Sequence, residues 1–261
     1  MASCLVGSEM CIRDRLMIAS FYSDKSLPPK LKNLSIAVII IVVPALLIAK
    51  QPDLGTALLI TSSGVIAILL SGIKITHIFL GTGLVIGAIP LLWSFMYEYQ
   101  KSRVLSFFSP NTDALGTGYH LAQSKISLGS GGLFGKGYMN GTQSQLDFLP
   151  ENHTDFIFSA FGEEFGFIGV VILISLYVLV ALRGMSISIK ATDNFSRILS
   201  ATLILTIFLY VLVNVGMVVG ILPIVGAPLP FMSYGGTSML TVFAALGIIM
   251  SIKSHQRLLR K

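Results

Sequence analysis

The sequence has few charged residues and almost no cysteine. Charged residues make up 11% of its 261 positions, whereas soluble domains average about 25%. Hydrophobic residues make up 54%, which excludes a disordered chain, and so few charges could not cover the surface of a soluble domain. Cys4 and Cys11 are too few for a disulfide framework or a zinc site. The composition therefore predicts an all-α, polytopic integral membrane protein.

Familiar catalytic and metal-binding patterns are also missing. The sequence contains no GxSxG or HExxH motif, and its four histidines are scattered without the spacing of metal ligands. We therefore assign no metal ligands, and a divalent cation is the one cofactor left open. The net charge of +6 does not require a nucleic-acid partner, because basic loops beside anionic lipid explain it.

Six hydrophobic segments come close to the roughly 20 apolar residues that a membrane-spanning helix needs. They are residues 33–50, 54–73, 75–95, 154–182, 196–222 and 232–252. Residues 16–22 have the composition of the tail of one further span. Residues 1–15 do not match the rest and resemble a translated adapter sequence, so we interpret them as a non-native terminus. The alternative is a genuine short amphipathic terminus.

The basic residues predict the orientation of these spans. A cytoplasmic C-terminus places the larger share of lysine and arginine on the cytoplasmic side, as the positive-inside rule requires. Most acidic residues then fall outside or in the outer ends of helices. The same alternation places the long segment 96–153 outside the membrane, and long loops in compact folds are usually functional.

This external segment contains a glycine-rich run, Gly129–Gly137, flanked by Lys125 and Lys136. Backbone N–H groups of such a run can wrap a phosphate, and a flexible turn is the alternative. The segment ends in ENHTDFIFSAFGEEFGFIG. Here we expect Thr154 or Asn152 to cap a helix whose first turn contains Asp155.

That helix is predicted to contain three carboxylates. Asp155 is either a functional group at the outer end of a small, polar stripe or a simple charge at a helix N-terminus. Glu163 and Glu164 lie about two turns into the span and face different surroundings. Ionisable residues at that depth are often functional, but we favour a buried, hydrogen-bonded or ion-paired structural group.

Two further polar breaks face the same side. Asp53, in QPDLGT, most simply caps the start of a span. Residues 223–238 form a proline-broken hinge rich in glycine and serine. Non-helical backbone at membrane depth is tolerated where protein or water covers it, so the hinge indicates a cavity wall.

Three motifs carry a resemblance to a known family. They are QPDLGTALL, GYHLAQSKISLGSGGLFGKGYMNGTQSQLDFLPENHTDFIFSAFGEEFGFIG and LPIVGAPLPFMSYGGTSML. In this order, over residues 16–261, the chain resembles the SEDS family of bacterial cell-wall proteins, and its GTQSQLDFLPENHTDFIF is closer to the RodA branch than to FtsW. Members of the family have ten spans, so about six here imply an N-terminally truncated domain that we expect to be inactive alone.

The resemblance implies a peptidoglycan glycosyltransferase that polymerises lipid II during cell elongation, with Asp155 of the HTDF motif as the catalytic residue. It also implies a multi-pass protein of the bacterial cytoplasmic membrane that works with a class B penicillin-binding protein and elongation-complex membrane proteins. A lipid-linked precursor flippase and a non-enzymatic scaffold are the alternatives. Charges clustered at one face favour the transferase over a flippase. Candidate substrate contacts are Lys125, Lys136, Arg103, Glu151, His153 and Ser233, and candidate supporting residues are Asp53, Glu163 and Glu164.

Overall fold

The structure, a computed structural model, describes residues 2–23, 25, 29, 31–50, 54–95, 101, 117–145 and 153–259. All secondary structure in these residues is helical. The helices are α1 (Ala2–Ser23), α2 (Leu31–Ala49), α3 (Leu54–Leu70), α4 (Ile75–Phe95), α5 (Thr117–Ser130), α6 (Thr142–Gln145), α7 (Ile157–Ile189), α8 (Asn194–Val219) and α9 (Gly236–Leu259). The predicted all-α membrane fold is therefore confirmed.

Each of the six predicted hydrophobic segments forms a helix. Within the described residues, α2, α7, α8 and the part of α9 from Gly236 to His255 are long and apolar enough to cross a membrane. The apolar part of α3, Gly55–Leu70, is shorter than the roughly 20 residues of a typical span. Spanning by α3 and α4 stays a prediction.

The first helix crosses the boundary that the sequence suggested between residues 15 and 16. α1 is continuous from Ala2 to Ser23, so this boundary does not separate two elements of secondary structure. Its last turns bury Ile18, Ala19 and Tyr22 in a hydrophobic cluster that also contains Ala37 of α2. The non-native origin of residues 1–15 stays a prediction.

The chain divides into two compact units. The first consists of residues 1–97, 181–207 and 240–261, and the second of residues 98–180 and 208–239. In the first unit α2 and α3 approach closely at Gly64, where a Cβ atom would lie 2.6 Å from the side chain of Ile41. A larger residue at position 64 would therefore push these two helices apart.

The second unit contains every candidate site residue that the structure describes. Its buried core brings together aromatic and aliphatic side chains of α7, α8 and the hinge after α8, namely Phe156, Phe158, Tyr177, Val211, Val218 and Leu229. The helix α5, the glycine-rich turn after it and the short α6 form the described part of the external segment. This packing places the start of α7 beside the hinge and α5.

Candidate functional site

Asp155 lies in a turn, not in the first turn of a helix as the sequence predicted. Residues 153–156 form turns and α7 begins at Ile157. The reason is that the backbone carbonyl groups before the helix are bonded to other segments. The Tyr234 N–H donates to the carbonyl of His153 (2.9 Å), and the Ser233 hydroxyl donates to that of Thr154 (2.6 Å).

The third carbonyl, that of Asp155 itself, accepts a hydrogen bond from Nδ2 of Asn214 (2.9 Å). Asn214 lies on α8 and is fully buried. The same Nδ2 donates to the carbonyl of Ala227 in the hinge (2.7 Å). One amide group therefore ties the Asp155 turn, α8 and the hinge together, and it does so through two of the strong, obligatory acceptors of the main chain.

Hydrogen bonds within the hinge and from α7 hold the hinge in place. The Leu229 N–H donates to Oγ of Ser233 (2.7 Å), and the Tyr177 hydroxyl of α7 donates to the carbonyl of Pro230. Ser233 is buried and uses its hydroxyl as both donor and acceptor. Both hydrogen bonds of the Ser233 hydroxyl thus brace the hinge against the turn before α7, and its contact with substrate stays a prediction.

The hinge also passes close to the carboxylate. Gly226 has φ 75°, and a Cβ atom there would lie 3.4 Å from Oδ2 of Asp155. The hinge therefore forms one wall beside this carboxylate, as the sequence indicated. Asp155 is partly exposed and His153 is exposed, so an external molecule can reach this end of α7.

Glu163, eight residues after Asp155, occupies a buried polar network. Its side chain is fully buried and its Oε1 lies 2.7 Å from Nζ of Lys136. The carboxylate also accepts hydrogen bonds from the N–H groups of Thr142 and Gln143 and from hydroxyl groups on α5, those of Ser127 and Ser130. Glu163 is thus buried and ion-paired, and the structural role favoured from the sequence stays a prediction.

Glu164 has different surroundings, as its position on the helix predicted. It is partly exposed, and its Oε1 accepts one hydrogen bond from the backbone N–H of Met139 (3.2 Å). Both glutamates therefore hold the glycine-rich turn against α7, Glu163 from inside the unit and Glu164 from its surface.

The glycine-rich turn forms hydrogen bonds with α7 where the helix is interrupted at Gly166. Gly166 has φ 66° and ψ −167°, which interrupts the helical hydrogen bonding. The freed groups pair with the turn: the Phe167 N–H donates to the carbonyl of Gly132, and the Lys136 N–H donates to that of Glu163. At Gly135 a Cβ atom would lie 2.1 Å from the carbonyl oxygen of Glu164, so only glycine permits this approach.

The backbone of the run 129–137 follows neither of the two sequence interpretations. The N–H groups of Lys136 and Gly137 donate to the carbonyls of Glu163 and Glu164, so they are not free to wrap a phosphate. Nor is the run a loose turn, since its backbone is bonded to α7 at both ends. The run instead supplies the hydrogen-bond partners of the backbone groups around the interruption of α7.

The two lysines that flank the glycine-rich run have different surroundings in the structure. Lys136 is bound to Glu163 and also donates to Oγ1 of Thr142, whereas Lys125 is exposed on α5. The Lys125 side chain extends over Gly220, where a Cβ atom would lie 2.4 Å from its Nζ. Three further candidates, Arg103, Glu151 and Asp53, lie outside the described residues.

Within the described part of the chain, no group of three or more histidine, cysteine, aspartate or glutamate side chains is arranged to hold a metal ion. The residues that sequence reasoning missed are neutral polar ones: Asn214, Thr142, Gln143 and Ser127. Asn214 carried a usable signal, because an amide in the middle of an apolar span is costly unless it is bonded.

The chain is similar to a known protein family and to curated proteins. The profile of the FtsW/RodA/SpoVE family, described as "Cell cycle protein", matches residues 10–258. The peptidoglycan glycosyltransferase MrdB of Escherichia coli K12 is 50% identical over 247 residues, which cover 94% of this chain and 67% of MrdB. This chain therefore spans about two thirds of the length of that relative.

Solved structures show the same fold. A chain from a study of polymerisation and crosslinking by a peptidoglycan synthase complex matches with a TM-score of 0.78 and 25% identity, over 93% of this chain and 68% of that chain. The rod shape determining protein RodA of Thermus thermophilus matches with a TM-score of 0.63 and 22% identity, over 94% of this chain and 64% of that chain.

Proposed function

The chain belongs to the FtsW/RodA/SpoVE family, and from that membership we propose that it is the catalytic part of a peptidoglycan glycosyltransferase that polymerises lipid II during cell elongation. The observation that carries the proposal is the setting of Asp155. Asp155 is partly exposed and lies in a turn. The three backbone carbonyl groups of residues 153–155 accept hydrogen bonds from Tyr234, Ser233 and Asn214 respectively.

We assign Asp155 the part of general base. Glycosyl transfer requires a proton to leave the attacking sugar hydroxyl as its oxygen bonds to the anomeric carbon of the donor, and a carboxylate within hydrogen-bond reach can accept that proton. The bond from the anomeric carbon to the polyprenyl pyrophosphate breaks in the same step. A base of this kind must be held in position, and the bonded turn provides that restraint.

The departing pyrophosphate needs positive charge or N–H donors near it. Lys125 suits this part better than Lys136, because the Lys136 ammonium group is already paired with Glu163 while Lys125 is exposed. Both the hinge and α5 adjoin the Asp155 end of α7. We assign the hinge to one side of the groove that accepts the lipid-linked sugar.

The remaining parts of the proposal concern place and partners. We infer that the chain lies in the bacterial cytoplasmic membrane with its C-terminus in the cytoplasm, and that it works with a class B penicillin-binding protein and membrane proteins of the elongation complex. The resemblance of its motifs to the RodA branch and the distribution of its basic residues support this assignment.

The deciding experiment is a lipid II polymerisation assay on the Asp155→Asn variant. The matched control is Glu164→Gln, because Glu164 is a second partly exposed carboxylate, in the helix that follows the Asp155 turn. We expect Asp155→Asn to abolish glycan product and Glu164→Gln to retain it, at equal amounts of inserted protein.

Near-normal polymerisation by Asp155→Asn would refute the base assignment. Transport of a lipid-linked precursor by that variant would then point to a flippase. A loss of transpeptidase recruitment, without any loss of transport or polymerisation in Asp155→Asn, would point to a scaffold.

A further inference from the structure

The glycine-rich turn exposes an apolar surface that the proposed chemistry does not use. Phe134 is 81% exposed and Tyr138 is 73% exposed, and Leu133 and Met139 are also largely exposed. We call these four residues the apolar tip. An external loop that contacted only water would not be expected to present so many large apolar side chains side by side.

Backbone hydrogen bonds fix the position of the tip along α7. The Phe167 N–H donates to the carbonyl of Gly132 (2.9 Å), and the Ile168 N–H donates to that of Leu133 (3.2 Å). The rings of Tyr138 and Phe165 lie next to each other, tilted by 48°, with their centroids 6.5 Å apart. The tip therefore lies beside residues 165–168 of the helix.

The exposed apolar side chains of α7, a helix long and apolar enough to cross a membrane, begin at those residues, and we call the surface that they form the lipid-facing side. None of the residues 157–164, each of which is described, has an exposed side chain. From residue 165 to residue 180 every exposed residue of the helix except Ser175 is apolar. These apolar residues are Phe165, Phe167, Ile168, Val171, Ile172, Ile174, Leu176, Leu179 and Val180. This stretch is about 22 Å long at 1.5 Å per residue, which fits inside a hydrocarbon core about 30 Å thick.

The charge in the turn does not oppose contact with lipid. Lys136 is the charged residue of the stretch 131–140, and its ammonium group is directed to Glu163, at 2.7 Å. A charge paired inside the unit leaves the outer side of the turn to its apolar residues. Tyrosine beside exposed aliphatic and phenyl groups is typical of the boundary between acyl chains and headgroups.

We propose that the apolar tip is a membrane anchor inserted into the outer edge of the lipid bilayer. Leu133, Phe134 and Met139 contact acyl chains of the outer leaflet, and Tyr138 lies at headgroup level. The surface is continuous with the lipid-facing side of α7, and this continuity identifies lipid as its occupant. The inference is independent of the chemistry proposed for Asp155.

The test uses tryptophan fluorescence. Trp93 is the only tryptophan of the chain, so a Trp93→Phe background allows one reporter at a time. The full chain with Phe134→Trp is reconstituted in phosphatidylcholine vesicles that carry bromine either near the headgroup end or deep in the acyl chain. Leu176→Trp, in the middle of the lipid-facing side of α7, and His153→Trp, in the exposed turn before α7, are the matched references.

We expect the emission of Phe134→Trp to be blue-shifted and to be quenched most by the shallow bromines. Leu176→Trp should be quenched most by the deep bromines, which also shows that the chain is inserted, and His153→Trp should be quenched by neither. Tyr138→Trp repeats the measurement, so the conclusion does not depend on one substitution.

Emission of Phe134→Trp and Tyr138→Trp that matches His153→Trp, in a chain whose Leu176→Trp is quenched, would overturn the proposal. Shielding of both reporters from aqueous iodide only when a partner protein is added, again without bromine quenching, would assign the surface to that protein and would also overturn it.

Discussion

Nζ of Lys136 lies 2.7 Å from Oε1 of Glu163, and the carboxylate of that pair is completely buried. The two residues are separated by a described turn, α6, a stretch outside the described residues and the start of α7. Around the pair, N–H and hydroxyl groups from α5 and α6 complete the coordination of the carboxylate. One side chain thus determines how the external segment joins the spanning helix.

Removing this carboxylate should be strongly destabilising. Glu163→Ala leaves the Lys136 ammonium and the N–H groups of Thr142 and Gln143 without their acceptor, and loss of one partner from a buried pair costs about 3–5 kcal/mol. Thermal unfolding in detergent should show a clear fall in Tm. Glu164→Ala is the control, since it loses one surface hydrogen bond. Equal Tm values for the two variants would contradict the structural part given to Glu163.

Asn214→Leu should impair catalysis by releasing the turn that holds Asp155. The change leaves the buried carbonyl groups of Asp155 and Ala227 without their donor, at about 1–3 kcal/mol for each group. We expect kcat to fall more than KM changes, because the substrate contacts themselves remain. Thr206→Val, which removes a hydroxyl bonded within α8, is the control. A fall in Tm with unchanged kcat would show that Asn214 supports the fold alone.

Gly166→Ala should disturb the junction between α7 and the glycine-rich turn. Position 166 has φ 66°, which disfavours residues with a Cβ atom. That Cβ would also lie 2.2 Å from the backbone nitrogen of Gly135. We expect poor yield of folded protein and a lower Tm. Gly83→Ala, in α4 where a Cβ meets nothing within 4 Å, should be tolerated, and a similar loss in both variants would argue against a specific junction.

The proposed orientation predicts where a membrane-impermeant thiol reagent can react. In a chain with Cys4 and Cys11 replaced by serine, Ala122→Cys on the exposed side of α5 should be labelled in intact cells. Ser254→Cys, exposed near the end of α9, should be labelled only after permeabilisation. The reverse pattern would invert the topology inferred from the basic residues.

The positions of the helices could be predicted because the apolar runs are long. All six segments became helices, with bounds shifted by a few residues. The start of α7 could not be predicted, because the donors that bind the carbonyl groups of residues 153–155 lie on α8 and in the hinge, about 60 to 80 residues away. Local capping rules contain no information on such distant partners.

The same limit applies to the site. The different surroundings of Glu163 and Glu164 follow from their angular separation on a helix, although the sequence did not say which of the two would be buried. The partner of Glu163 does not follow either, since Lys125 and Lys136 both flanked the glycine-rich run. The assignment of Asp155 came from the HTDF motif and its family resemblance, because spacing alone left a helix charge equally plausible.

The order in which the chain is synthesised determines when the buried pair of Lys136 and Glu163 can form. Lys136, Thr142 and Gln143 leave the ribosome before Glu163, so the external segment is complete before its acceptor exists. Until α7 has been made and inserted, the ammonium and N–H groups of this segment must remain hydrated. The turn and α6 can therefore reach their final arrangement only after the following span has been made. The turn that holds Asp155 must wait longer, because its donors Asn214, Ser233 and Tyr234 are synthesised later still.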